Sequence, residues 1–109
     1  MKVLIFGESD IGLGIRSLYP DTVMVSKSEC DVRDTSAIKK ILKKTNPQVI
    51  VNCAGISHIQ RCLDSNVDHW REEIEVNLFG SYLIAREALS QNPKVTMIFI
   101  VSTRPGEME

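Results

Sequence analysis

Val3-Leu4-Ile5-Phe6-Gly7-Glu8-Ser9-Asp10-Ile11-Gly12-Leu13-Gly14, near the start of the chain, decides how the rest is read. Its first four residues are apolar without alternation, the pattern of a strand buried on both faces as in a parallel sheet. Glycines at 7, 12 and 14 then form a turn that opens a short helical pattern, Ile11 to Leu18, ended by Pro20. A strand that passes through such a turn into a helix lets backbone N–H groups and the helix N-terminus approach a pyrophosphate. The glycines stand five and two residues apart, unlike the usual spacing of such loops, and Glu8 and Asp10 put negative charge beside them. Taken alone, the turn fits a strand-to-helix corner as well as it fits a ligand site.

Three further apolar runs read as strands: Thr22 to Val25, Val49 to Cys53, and Val95 to Val101. Between the second and third, Thr35 to Lys44 sets Ile38, Ile41 and Leu42 on one helix face and Lys39, Lys40, Lys43 and Lys44 on the other, with Asp34 as cap and Asn46-Pro47 as stop. The lysine run is a solvated face. A longer helix is predicted over Asp68 to Ser90, with one apolar stripe of Ile74, Leu78, Tyr82, Ala85 and Leu89 and a second of Val76, Phe79 and Leu83. Strands and helices alternate throughout, with no repeat or linker, so residues 1–109 are expected to form a single α/β domain with right-handed crossovers.

The chain has 109 residues, 43% hydrophobic and 25% charged, which suits one small globular unit. A formal charge of −1, from 13 basic and 14 acidic residues, gives no broad electrostatic reason to bind nucleic acid or an anionic membrane. Cys30, Cys53 and Cys62 are odd in number and irregularly spaced, as expected of reduced thiols. The N-terminus lacks the pattern of a signal peptide, and no apolar run nears the roughly 20 residues of a membrane span. A soluble, cytoplasmic protein is the expectation.

Further short motifs follow in order: Asp31-Val32-Arg33-Asp34 before the second helix, Asn52-Cys53-Ala54-Gly55 at the end of the third strand, Val76-Asn77-Leu78-Phe79-Gly80 in the long helix, and Val101-Ser102-Thr103-Arg104-Pro105-Gly106 after the fourth strand. Together they resemble the front part of the short-chain dehydrogenase/reductase family across nearly the whole chain. The resemblance implies a Rossmann-type three-layer fold, with a parallel sheet of about four strands and flanking helices, that binds NAD or NADP. Carried over by position, Gly7 and Gly12 resemble the outer glycines of the phosphate loop, with Ser9, Asp10 and Ile11 between them and the middle glycine missing. Asp31 and Val32 resemble the pair that contacts the adenine. Asn52, Ala54 and Gly55 resemble the segment lining the ribose and nicotinamide. Asn77 resembles the asparagine that organises the family's proton relay, although a polar residue bonding its local backbone is the alternative. Thr103 resembles the serine or threonine that orients a substrate carbonyl, with Ser102 as its structural neighbour. The short path from Val25 to Asp31 is similar to sugar-nucleotide reductases of the dehydrorhamnose reductase type, whereas Asn-Cys-Ala-Gly is nearer the family's main branch. Ser26-Lys27-Ser28 after the second strand leans toward NADP, because a cation there tolerates a ribose phosphate.

The family's chemistry also needs a tyrosine with a lysine four residues later. Tyr19 and Tyr82 are the only tyrosines among the 109 residues, and neither has that lysine. The chain is therefore expected to be truncated, to retain cofactor binding at most, and to act on a small carbonyl or alcohol only as part of a full-length enzyme. A non-catalytic nucleotide- or protein-binding module on the same scaffold is the alternative. His58, Cys62 and His69 lack a third partner at metal-site spacing, so no metal is expected. The two-sided apolar helix, with Leu83 and Leu89 taken as exposed, and an uncharged edge strand predict self-association.

Overall fold

Each expected apolar run forms a strand in the computed structural model, which describes residues 1–58 and 61–100. These are β1 (Val3–Phe6), β2 (Thr22–Val25), β3 (Val49–Asn52) and β4 (Thr96–Phe99). All pairings are parallel, in the order β2-β1-β3-β4. β3 stops one residue before Cys53, β4 is shorter than the expected run, and Val101 lies outside the described residues. The central strand is buried along its whole length. Leu4 and Phe6 join the larger core on one face and Val3 and Ile5 the smaller one behind, as the period of two requires.

Helix α1 (Asp10–Leu18) covers the smaller core through Ile15. Helix α2 (Thr35–Thr45) covers the larger one with Ile38 and Leu42. Asp34 starts α2 by accepting from the N–H groups of Ser36 and Ala37 at 3.0 and 3.2 Å, and Asn46 stops it in the left-handed conformation. Because β2 and β3 lie on opposite sides of β1, the winding reverses there. In a sheet of this kind that reversal opens a crevice at the carboxyl ends of the strands.

The long helix is not continuous. It consists of α3 (Val67–Ile74), a π-helical turn (Glu75–Phe79) and α4 (Gly80–Gln91). A wider turn inserts about one residue, or about 100° of rotation, into the face pattern. Val76 and Leu83, seven residues apart, both point into the larger core, while Phe79, expected on the same stripe, lies in the wider turn and is exposed. The other stripe, with Ile74, Leu78, Tyr82 and Leu89, faces outward. The expectation for Leu83 is corrected: it is 3% exposed, packed with Ile84 and Ala88, because α4 lies flat against the sheet. Leu89 is exposed as expected, and among the described residues β4 pairs only with β3.

Gly7 sits where the backbone leaves no room for a side chain. Its φ is +90°, and a Cβ there would lie 2.7 Å from the Ala54 nitrogen and 2.9 Å from the Cys53 carbonyl carbon. Gly14 has nothing within 4 Å of its Cβ position and sits inside α1. Gly7→Ala is therefore expected to destabilise the chain by about 3 kcal/mol or more, and Gly14→Ala to stabilise it by about 0.5–1 kcal/mol. Chemical denaturation of the two variants side by side checks both signs; equal midpoints would contradict this account of the turn.

Candidate functional site

At the carboxyl ends of β1, β2 and β3 lies a cleft of about 410 Å³. Gly7 and Glu8 line it from β1, Ser26, Lys27 and Ser28 from β2, and Cys53 to Ile56 from β3, with Cys30, Asp31, Val32 and Val76 completing it. It thus brings together Gly7, Lys27, Asp31, Val32, Ala54 and Gly55 from the residues singled out in the sequence. Ser9, Asp10, Ile11 and Gly12 are not in its lining; they form the cap and first turn of α1 beside it. There the Ser9 hydroxyl oxygen accepts from the Gly12 N–H at 3.0 Å, which makes Ser9 the helix cap, and Asp10 and Ile11 are exposed.

Two carboxylates near this cleft are already engaged. Asp31 Oδ1 accepts from the Arg33 backbone N–H and from Nε, both at 3.0 Å, and Oδ2 accepts from Nη2 at 2.7 Å. The guanidinium hydrogen bonds pull the Asp31 carboxyl down to about 2. Glu29 folds back so that its Oε1 accepts from the Ser26 N–H at 3.0 Å and from the Ser26 hydroxyl at 2.9 Å, and these bonds lower its pKa. Cys30 behaves in the opposite way. Burial, aided by the charges of Asp34 and Asp31, pushes its thiol up to about 11, so it stays protonated and is no nucleophile.

Asn52 and Asn77 belong to a second, broader cleft of about 850 Å³ between the end of β3, the long helix and β4. Asn52 is buried; its Oδ1 accepts from the Ala54 N–H at 3.0 Å, and its Nδ2 donates to the Ser81 hydroxyl at 3.2 Å. Asn77, inside the π-helical turn, clasps one peptide residue from both sides. Its Oδ1 accepts from the Ile56 N–H at 2.8 Å and its Nδ2 donates to the Ile56 carbonyl at 2.7 Å. That partner is distant in sequence, not the local backbone of the helix. Further along the same loop, Glu73 Oε1 accepts from the His58 N–H at 2.6 Å. The long helix therefore straps down the loop after β3. Gly80 lets the strapping helix sit close to the first cleft, since a Cβ there would meet Val32 Cγ2 at 2.6 Å.

Arg33, Ser81, Glu73 and Glu29 were not singled out in the sequence. The two-residue step from Asp31 to Arg33 was the available signal for one pair; the other contacts depend on how helix and loop meet. Thr103 and Ser102 lie outside the described residues. His58 and His69 stack with ring centroids 4.1 Å apart beside Cys62, in a small cavity of about 240 Å³. No group of three or more His, Cys, Asp or Glu that could hold a metal occurs among the described residues. No helix there is long and apolar enough to cross a membrane.

A parallel sheet in this order, with its clefts at the carboxyl ends around β1, is a Rossmann-like arrangement. More particularly, the family model described as short chain dehydrogenase matches residues 13–108, and the chain belongs to that family of NAD(P)-using oxidoreductases. The match begins just after the Gly7–Gly12 turn. Human (3R)-3-hydroxyacyl-CoA dehydrogenase is 30% identical over 89 residues, which is 73% of this chain and 34% of that protein. An uncharacterized oxidoreductase of Thermotoga maritima is 29% identical over 87 residues, 72% of this chain and 34% of that one. The chain spans between 23% and 34% of the length of the curated relatives it matches. Among solved structures, a variant short-chain dehydrogenase/reductase of Serratia marcescens superposes with a TM-score of 0.75 at 18% identity, covering 94% of this chain and 58% of that one. A dTDP-4-dehydrorhamnose reductase of Bacillus anthracis in complex with NADP gives 0.67 at 21% identity, covering 81% and 32%. These likenesses show the fold.

Two outcomes follow from the bonding at the site. Asn77→Ala leaves the Ile56 N–H and carbonyl without their protein partner, and is expected to cost about 1–3 kcal/mol; Asn77→Asp, which keeps the acceptor but turns a second, charged oxygen onto the Ile56 carbonyl, costs at least as much. Thermal unfolding of both variants checks the order. Asp31 has a pKa lowered from 3.8 to about 2, so its stabilising contribution is present above about pH 4 and is lost as pH falls through 2. Arg33→Ala is accordingly expected to be less stable than the natural chain at pH 6, with the gap closing by pH 2 in melts recorded across that range.

Proposed function

We propose that residues 1–109 form a single NAD(P)-binding unit of a short-chain dehydrogenase/reductase, with one dinucleotide lying across the carboxyl ends of β1, β2 and β3. The observation that carries this reading is the convergence of Gly7, Lys27, Asp31, Val32, Ala54 and Gly55 on one cleft beside the first turn of α1. In this reading the N-terminus of α1, from Ser9 through Asp10 and Ile11 to Gly12, faces the pyrophosphate. Asp31 and Val32 take the adenine. Asn52, Ala54 and Gly55 bound the ribose and nicotinamide, and Asn77 and Thr103 serve the substrate end. Lys27, exposed at the cleft's rim, favours the ribose phosphate of NADP. The whole protein's substrate would be a small carbonyl or alcohol, and its compartment the cytoplasm.

The outward stripe of Ile74, Leu78, Tyr82 and Leu89 supports a second element of the proposal, self-association of this chain through the long helix. Burying such side chains contributes about 1.5–3 kcal/mol each. Light scattering behind size-exclusion chromatography is expected to give a mass that rises with concentration in the natural chain and less so in Tyr82→Glu. A natural chain that stays monomeric throughout the series would end this part of the reading.

Titration with NADPH and NADH, followed by nicotinamide fluorescence, tests the main proposal. Saturable binding of both is expected, tighter for NADPH, with Lys27→Glu shifting the ratio about three- to tenfold toward NADH. Absence of saturation with either nucleotide at millimolar levels would remove the reading.

A further inference from the structure

We propose that Arg33 is a positioning residue for the base-binding end of the cleft: it grips Asp31 so that the carboxylate is left with one acceptor site, suited to the amino group of adenine. The inference rests on the dinucleotide reading above and adds to it a basis for base selectivity.

An ionised carboxylate has about four acceptor sites and no donor. Arg33 fills three of them: its backbone N–H and Nε both bond Oδ1 at 3.0 Å, and Nη2 bonds Oδ2 at 2.7 Å. The remaining site is on Oδ2. Only a hydrogen-bond donor can meet it, since an acceptor would face like charge. The cleft that Asp31 lines has its apolar part in Val32, Ala54, Ile56 and Val76 and its polar rim in Ser26 and Lys27. The Cys30 thiol stays protonated there, and besides Arg33 the charge that acts on Asp31 is that of Lys27 at the rim. Small apolar walls with one fixed acceptor suit a flat aromatic ring bearing an exocyclic amine. Adenine has that amine, whereas hypoxanthine carries a carbonyl oxygen in the same place.

Arg33 is itself anchored from the far side. Its Nη1 stands 3.8 Å from Glu75 Oε2, at the start of the π-helical turn. The guanidinium is thus held between Asp31 and the long helix, and it neutralises Asp31 where an anionic ligand would approach. A lysine could reach one carboxylate oxygen at a time and would leave the group free to rotate. Without the side-chain grip, the Arg33 N–H still bonds Oδ1 and preserves the turn, but nothing fixes Oδ2.

The test is a comparison of NADH with reduced nicotinamide hypoxanthine dinucleotide, titrated against the 109-residue chain and its variants. The natural chain is expected to bind the adenine form about tenfold more tightly, because the hypoxanthine carbonyl leaves the partly buried acceptor unpaired and faces it with a second oxygen. In Arg33→Ala both dinucleotides should still bind, with the ratio reduced to within about twofold, and Arg33→Lys should recover only part of it. If circular dichroism finds Arg33→Ala unfolded, Arg33→Lys alone decides. Equal weakening of both dinucleotides with the ratio intact would make Arg33 a brace of the turn and overturn the proposal. So would a natural chain that binds the two forms equally. A natural chain that binds neither removes the dinucleotide reading itself, and this inference with it.

Discussion

Where β1 ends, Gly7 lies against the Cys53–Ala54 peptide so closely that no side chain fits between them. This contact joins the two strands on either side of the point where the winding reverses. The Cys53 N–H donates to the Phe6 carbonyl at 2.8 Å, so the β1–β3 ladder continues to the edge of the crevice. Only then do the two chains part, one into α1 and the other into the loop after β3. Were Gly7 larger, the ends of β1 and β3 would separate earlier, and the first cleft would lose the proximity of its glycine turn to Ala54 and Gly55. The left-handed φ and the close approach make the same demand for glycine, one through the backbone and the other through space.

The loop that leaves this point has no regular structure from Cys53 to His58, and its order comes from the helix above it. Asn77 and Glu73 bind it at Ile56 and His58, and Asn52 folds its first residue back through the Ala54 N–H. A regular α-helix through residues 75–79 would rotate Asn77 relative to Val76 and Leu83, which are buried. The π-helical turn reconciles the two demands: apolar residues continue into the core on either side of it while an amide is presented to the loop. The positions of the two clefts therefore depend on a backbone irregularity within a helix, in keeping with the frequent occurrence of such turns at functional sites.

That irregularity also marks the limit of what could be read from the sequence. The four strands were legible because a strand buried on both faces leaves an unbroken apolar run, and α2 because its cap, its face pattern and its Asn-Pro stop agree. The order of motifs pointed to the family that the comparison assigns. The long helix was legible as an element, but its register was not. Periodicity assumes a constant 3.6 residues per turn, so it does not register the wider turn in which Phe79, expected on the stripe of Val76 and Leu83, is exposed. Pairing within the site was less legible still. Arg33 and Asp31 are near neighbours, yet nothing in composition says that the guanidinium turns back on the carboxylate instead of pointing to solvent. Ser81 and Glu73 become relevant only once helix and loop are in contact.

Charge bears on how such a chain could meet an anionic ligand. With a net charge of −1 it offers no long-range attraction to a dinucleotide, and Glu8, Glu29 and Asp31 all lie at or near the first cleft. Two of the three are occupied within the fold. Asp31 shares a guanidinium, and Glu29 accepts from both donors of Ser26, so each presents less unpaired negative charge than its sequence position suggests. The positive features stand on the other side of the balance: Lys27 on the rim and the N-terminus of α1 beside Gly7. The helix end contributes a partial charge of about half a unit that acts over the first turn only. Attraction and repulsion in this cleft are thus both local, and their sum is set by which carboxylates the fold has already paired; Glu8 and, in the first turn of α1, Asp10 are exposed with no comparable grip among the described contacts, and theirs are the charges that still oppose an anion there.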